Sequence, residues 1–563
     1  MNREQQRAEL HRTIWKIAND LRGAVDGWDF KQYVLGFLFY RFISENITNY
    51  LNEKTRQALK DDSFDYAQLP NEMAENARQS TTEEKGFYIL PSELFENVQA
   101  KAKNDQNLNE TLERVFKNIE GSAMGFDSEN DLKGLFDDVD VNSNKLGATV
   151  PKRNELLVKL LDAIGELNLG NFQDNSIDAF GDAYEFLMTM YASNAGKSGG
   201  EFYTPQEVAE LLAKITLVDS TFRQRSMTAG SATGNWQSRG EVIYKTQVNK
   251  VYDPACGSGG LLLKFAKILG KDNVHQGFYG QEINITTYNL CRINMFLHDI
   301  NFEKFDIAHG DTLIDPHHWD DEPFEAIVSN PPYATKWSGD ENPLLINDPR
   351  FSPAGVLAPK SKADLAFTMH MLSWLATNGT AAIVEFPGVL YRGGAEQKIR
   401  KYLIDNNYID CVIQLPANLF FGVSIATCII VLKKSKTDNA TLFIDASKES
   451  VKSGNKEKLA DENIEKILNA YVNRHCGSLS SLSEVEMSKR DPQFPEYKHF
   501  ARLVPNADIA ANDYNIAVSS YVEQEDTREI VNIVELNAKI AEIVKREDEL
   551  RKAIDEIVND LEN

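Results

Sequence analysis

The chain has 563 residues, 42% hydrophobic and 26% charged, a soluble globular composition on a length too great for one core. Lys and Arg number 60 against 84 Asp and Glu, a net charge of −24 that repels nucleic acid at long range, so chemistry on DNA requires a local basic groove or a basic partner. Five cysteines without a CxxC pair argue against a disulfide framework or zinc site and suit the cytoplasm; the polar start "MNREQQRAEL" is no signal peptide, and "YVLGFLFYRFI" is too short to span a bilayer.

Residues 1–170 read as a helical N-terminal domain. "TIWKIANDLRGAVDG", "FKQYVLGFLFYRFISENITNYLNEKTRQAL" and, after a polar stretch, "ELLVKLLDAIGEL" place apolar residues at intervals of three and four. From 171 to 475 the texture becomes that of a parallel α/β sheet. Short apolar runs end in Gly, Pro, Asn or Asp, with helical stretches between them: "NKVYDPACGSGG", "FYGQEIN", "FDIAHGD", "FEAIVSNPPY", "GTAAIVEFPG", "IDCVIQLP" and "ATCIIVLKK". The last two are close enough in sequence to pair as an antiparallel hairpin at a sheet edge. Ahead of the first strand, residues 219–248 form a Gly/Ser/Thr-rich excursion with Arg223, Arg225 and Arg239, read either as a plain insertion or as a loop touching phosphate. Residues 476–563 form a C-terminal helical tail. There Ile533, Leu536, Ile540, Ile543, Leu550, Ile554, Ile557 and Leu561 make a coiled-coil seam of about four heptads, suited to a partner helix or to the chain's own.

The chemistry lies at the ends of the predicted strands. After "NKVYD", ending at Asp253, comes a tight loop with Gly257, Gly259 and Gly260 and then a helix, an arrangement that lets backbone N–H groups approach a ligand. A dinucleotide fingerprint needs G-x-G-x-x-G, and its third glycine position holds Leu262, which disfavours an oxidoreductase. Glu282, at the tip of the second strand, is placed to accept both hydroxyls of a ribose or to cap the next helix. Asp311, after the third, is placed to accept from an adenine amino group or, again, to cap. In "SNPPY" the prolines hold Asn330 and Pro331 extended and fix the offset of Tyr333.

Taken in order, "GGEFYTPQEV", "DPACGSGG", "GQEIN", "GDTL", "SNPPY" and "KSKADLAF" resemble the S-adenosylmethionine-dependent adenine-N6 DNA methyltransferases. More narrowly, the whole chain is similar to the modification subunits of type I restriction–modification systems. The resemblance implies a Rossmann-like α/β catalytic sheet at 171–475 between a helical N-terminal domain and a partner-binding helical, coiled-coil tail. It implies that Glu201, Phe202, Tyr203, Thr204, Pro205 and Gln206 line the methionine end of S-adenosylmethionine. Asp253, Gly257, Ser258, Gly259 and Gly260 would cradle the donor, Glu282 its ribose, and Asp311 its adenine, with Asp364 and Phe367 bordering the pocket. It also implies a specificity subunit held through the C-terminal helices and N-terminal domain, a second modification subunit, a restriction subunit, and duplex DNA with a flipped adenine.

Within that resemblance, NPPY has a chemical task. The adenine amino nitrogen is a poor nucleophile because its lone pair is delocalised. The Asn330 side-chain oxygen and the Pro331 carbonyl would accept its two hydrogens, favouring a pyramidal nitrogen aligned for in-line transfer, with Pro332 stiffening the turn and Tyr333 stacking on the base. No metal is required. Protein-glutamine and RNA methyltransferases share this chemistry and stay open at this point, as does a non-catalytic assembly subunit.

Overall fold

The computed structural model describes residues 8–14, 27–167, 169, 179–194, 204–218, 244–339, 342–420, 423–454, 456–476, 499–523 and 533–562. The chain divides into two units, Met1–Val522 and Glu523–Asn563. None of the helices among the described residues is long and apolar enough to cross a membrane.

The N-terminal part is helical around one central helix, α1 (Gly27–Leu59). Its residues 33–40 are all buried, because helices pack on it from several sides rather than on one stripe. Arg41 serves the same packing: its Nη1 donates to the carbonyls of Ile164 at 2.6 Å, in the last turn of the helix Val150–Gly165, and of Leu167 at 2.8 Å, just past its end. Carbonyls run short of backbone donors in the last turn of a helix, and the guanidinium adds to the Glu166 and Leu167 amides already at Ile164.

The catalytic part is built on β1 (Val248–Asp253), β2 (Val274–Glu282), β3 (Phe305–His309), β4 (Phe324–Ser329), β5 (Leu375–Glu385), β6 (Ile409–Gln414), β7 (Cys428–Leu432) and β8 (Ala440–Asp445). A small separate hairpin pairs β9 (Val451–Ser453) with β10 (Lys456–Lys458), and β11 (Ala501–Pro505) completes the main sheet. The sheet order is β11-β8-β6-β7-β5-β4-β1-β2-β3. All seven predicted strands are present. β6 and β7 do pair antiparallel, but not at an edge: β7 lies between β6 and β5, and β8 and β11 extend the sheet beyond them. The edge strand β11 thus lies past residue 475, where the sheet was expected to end.

Alternate residues of the central strands enter two cores. Val251, Ala326 and Val328 face one side, while Tyr252 and Ile327 face the other; Phe324 joins the second core across a register shift between it and Ala326. The chain runs outward from β1 through β2 to β3, then returns to the other side of β1 for β4. That reversal leaves a crevice at the carboxyl ends of β1 and β4, where open α/β sheets bind ligands.

Four helices frame the crevice: α2 (Gln206–Leu217), α3 (Gly260–Leu269), α4 (Ile285–Leu297) and α5 (Asp364–Trp374). Most of the 219–248 excursion lies outside the described residues. Its ends are tied by an antiparallel bridge between Val218 and Tyr244. Most of "TIWKIANDLRGAVDG" and the start of the tail also lie outside them.

Candidate active site

Register brings the strand ends together. Asp253 ends β1 opposite Gly280 of β2, and Glu282 stands opposite His309 at the end of β3. β4 runs parallel to β1 on the other side, so Ser329 reaches across to donate its hydroxyl to Asp253 Oδ1 at 2.9 Å. The same oxygen accepts from the Ala255 N–H at 3.0 Å, bending the chain into the glycine loop. Gly257 (φ 55°) and Gly259 (φ 80°) then adopt the left-handed backbone that glycine permits. At Gly259 a Cβ would come within 2.8 Å of Cys291 Sγ, so the loop can close over α4 only with glycine there. Asn294 fastens the same turn by donating to the Ser258 carbonyl at 2.8 Å.

Glu282 joins this loop to the next helix. Its two oxygens accept from the Gly257 N–H at 3.1 Å and the Asn284 N–H at 2.9 Å. Asn284 itself caps α4 by accepting from the Thr287 N–H at 3.0 Å. Glu282 therefore holds the N–H of the capping residue without capping α4 itself, and it keeps lone pairs beyond these two bonds. Burial raises the Glu282 pKa, opposed by those backbone donors. Asp311 braces a turn, with no helix following it: its Oδ1 accepts from the Leu313 N–H at 3.0 Å.

Glu282, Asp311 and Asn330, from three strand ends, line one cavity of about 440 Å³ together with Ile283, Leu313 and Phe367. That is the size and mixed character of a small-molecule site. Pro332 also lines it, and Lys336 and Trp337 do so without any cue in the sequence. Asn330 is only 8% exposed. Its Nδ2 donates to Thr204 Oγ1 at 3.0 Å, which joins Thr204 to the NPPY turn. Its Oδ1 accepts from the Tyr333 hydroxyl at 2.6 Å and keeps a second lone pair.

Tyr333 is not among the cavity's lining residues. Its ring lies 6.2 Å from Phe386 and 6.3 Å from Phe420, the latter pair nearly perpendicular. Burial, with Glu385 nearby, raises its pKa well above the usual phenol value. Asp364, the first residue of α5, is buried and accepts from the Ala334 N–H at 3.1 Å, bracing the positive-φ residue that follows NPPY. Pro205 stands at the N-cap of α2 and Gln206 opens that helix. Glu201, Phe202 and Tyr203 lie outside the described residues.

Buried polar atoms near the crevice that make no hydrogen bond among the described residues include Asp253 Oδ2, Gln206 Oε1, Asn294 Oδ1 and Asp364 Oδ2. Burial pushes the Asp253 carboxyl up to about 7, despite the Ala255 and Ser329 donors. An acid with a raised folded pKa binds more protons folded than unfolded, so its contribution to stability falls as pH climbs from about 4 to about 7. Asp253→Asn removes that loss. The expected rise in melting temperature is larger at pH 8 than at pH 5, read by calorimetry at both.

A largely parallel sheet with antiparallel β7 and β11, a glycine loop after β1 and NPPY after β4 is the arrangement of an α/β methyltransferase. The N-6 DNA Methylase family model matches residues 175–530, and the HsdM N-terminal domain model matches residues 10–164. The Type I restriction enzyme MpnII methylase subunit of Mycoplasma pneumoniae is 44% identical, across 99% of this chain and 97% of that protein. The type I restriction-modification methyltransferase subunit from Streptococcus thermophilus is 34% identical with a TM-score of 0.74, covering 92% of this chain and 100% of that one. A chain from a structure of type I system assembly, at 18% identity and a TM-score of 0.59 over 99% of both chains, shares the fold. This chain belongs to the methylase subunits of type I restriction enzymes, and it is an adenine-specific DNA methyltransferase. The identity to DNA methylase subunits leaves the protein-glutamine, RNA and non-catalytic readings without support.

Proposed function

We propose that the cavity takes the nucleoside of S-adenosylmethionine and that Asn330 and Pro331 orient a flipped DNA adenine beside it. The observation that carries this is the convergence of Glu282, Asp311 and Asn330 on one cavity. The residues fit the donor. Glu282 and Asp311 supply acceptors for hydroxyl and amino hydrogens, while Ile283, Leu313 and Phe367 supply apolar contact. Asp253 Oδ2, buried and without a hydrogen bond among the described residues, suits the donor's cationic end. Bound there, S-adenosylmethionine supplies an electrophilic methyl group. Gly257–Gly260 and residues 201–206 hold the donor's other end.

Asn330 Oδ1 and the Pro331 carbonyl accept the adenine amino hydrogens, and Pro332 keeps that pair from relaxing. Tyr333 holds the Asn330 carboxamide in orientation through its hydroxyl. Asp364 fixes the turn from behind. The test is isothermal titration with S-adenosylmethionine, then methyl transfer onto duplex DNA with the specificity partner present and digestion to nucleosides. N6-methyladenine is the expected product, and its absence despite donor binding refutes the acceptor assignment.

The chain's division of labour follows: helical residues 1–170, a catalytic part from 171, and C-terminal helices that grip a specificity subunit. A complex with a second modification subunit and a restriction subunit, acting on DNA in the cytoplasm, completes this reading. It accommodates the charge of −24, since the partner supplies the main grip on phosphate. The terminal unit supports it. Its helix α6 (Ile533–Glu562) leaves Ile543, Leu550, Ile554 and Ile557 each more than half exposed, an apolar seam ready for another helix. Changing Ile543 and Leu550 together to Asp is expected to abolish co-purification with the specificity subunit while leaving donor affinity unchanged. Retained co-purification assigns the grip elsewhere.

A further inference from the structure

One wall of the cavity comes from the helical N-terminal part. Gln32, in the second turn of α1, lines it together with Asn284, Thr286 and Thr287 at the start of α4. Its place there is fixed by built contacts. The neighbouring Tyr33 donates its hydroxyl to the Asp140 carbonyl at 2.8 Å. Two residues before that, the Asp138 carboxylate accepts from Thr286 Oγ1 at 2.9 Å and Asn289 Nδ2 at 3.3 Å. Arg292, also on α4 and 1% exposed, donates through Nη1 to the carbonyls of Asn130 at 2.8 Å and Lys133 at 3.0 Å. The helical part is thus clamped to the first turns of α4, beside Glu282.

At that position Gln32 presents a carboxamide to a cavity otherwise lined, on this side, by Glu282 and the α4 N-terminus. A carboxamide carries donors and an acceptor together, so it can pair with a ribose hydroxyl or with an adenine edge, either of which offers both. Glu282, an acceptor only, cannot do this. We propose that Gln32 is a binding residue for the donor's nucleoside, so that the adenosine pocket is completed only when the helical part is docked on the sheet. This rests on the reading that the cavity holds that nucleoside.

The test uses the full chain and S-adenosylhomocysteine, which has the nucleoside but no methyl group to transfer. Gln32→Ala and Gln32→Met, the second keeping side-chain length, are compared with wild type by isothermal titration and by steady-state kinetics with the specificity partner. Both variants are expected to weaken S-adenosylhomocysteine by roughly three- to tenfold, the worth of one neutral hydrogen bond. KM for the donor rises in step and kcat is unchanged. Unchanged donor affinity with a raised KM for DNA places Gln32 against the target base and overturns the proposal. A loss with Ala but not with Met marks a packing role and overturns it too, as does no change in either variant. If the wild-type chain itself fails to bind S-adenosylhomocysteine, the reading of the cavity falls with it.

Discussion

Asn330→Ala is expected to lower the single-turnover rate of methyl transfer by roughly 10²–10³-fold, the scale set by removing one preorganised polar partner of a transition state. Donor affinity should stay within about threefold, since a neutral hydrogen bond is worth only ~0.5–1.5 kcal/mol where it is exchanged for water. The asymmetry follows from what Asn330 touches. Its oxygen faces a cavity but is already oriented by the Tyr333 hydroxyl, and its nitrogen is tied to Thr204. Alanine removes the acceptor and frees both neighbours without touching Glu282 or the glycine loop. Asn330→Asp keeps an acceptor in place, and the Thr204 hydroxyl can rotate to donate to it, so this variant should retain far more activity than alanine. Rapid-quench methylation of duplex DNA with the partner present, beside donor titration, reads both numbers. Equal losses of rate and donor affinity would mark Asn330 as a structural residue of the turn and sink the acceptor assignment.

The opposite split is expected for Glu282→Ala. Its carboxylate holds the Gly257 and Asn284 amides on one side and offers lone pairs to a ribose on the other. Hydrogen bonds to a charged group are worth ~1.5–3 kcal/mol each, so losing them should weaken the donor by about 10²-fold or more. The rate at saturating donor should change less than about tenfold. Gln is expected to rescue poorly. Its amide nitrogen must face either the Gly257 or the Asn284 N–H, placing donor against donor in a half-buried site. A pure capping role would also lower stability and affinity, so the decisive arm compares S-adenosylhomocysteine with its 2′-deoxy and 3′-deoxy forms. Wild type should discriminate against the deoxy ligands and the variant should not; discrimination that survives in Glu282→Ala removes the ribose from its role.

Much of this site could be read from the letters because each polar residue ends an apolar run. "NKVYD", "FYGQE" and "FEAIVS" announce strands, and parallel strands deliver their carboxyl ends to one crevice, so Asp253, Glu282 and Asn330 had to meet. The antiparallel pairing of β6 and β7 was readable from the short link between them. The placement of β7 inside the sheet was not, since strand order is decided by contacts distant in sequence. β8 "ATLFID" escaped notice although its run ends in Asp. β11 "ARLVP" carries no apolar run, because an edge strand keeps Arg502 exposed. Tyr333 shows another limit: a motif gives an offset along the chain, while the direction of a ring is set by neighbours such as Phe386 and Phe420. Gln32 was beyond reach. It is one polar letter just ahead of the apolar run Tyr33–Tyr40, and only the docking of that helix on α4 gives it a place in the cavity.

The two family-model regions read as modules in a gene, yet Arg292 makes them one object in solution. Its guanidinium is buried, and it takes acceptors from Asn130, Asp131 and Lys133 on the far side of the junction as well as from Asn289 on its own helix. Cutting the chain between the regions would strand a cation against uncovered apolar surface. Exchange of whole N-terminal segments between relatives is therefore constrained at this seam more tightly than at the surface, and a chimera would have to carry the 130–133 turn together with the helix that bears its arginine.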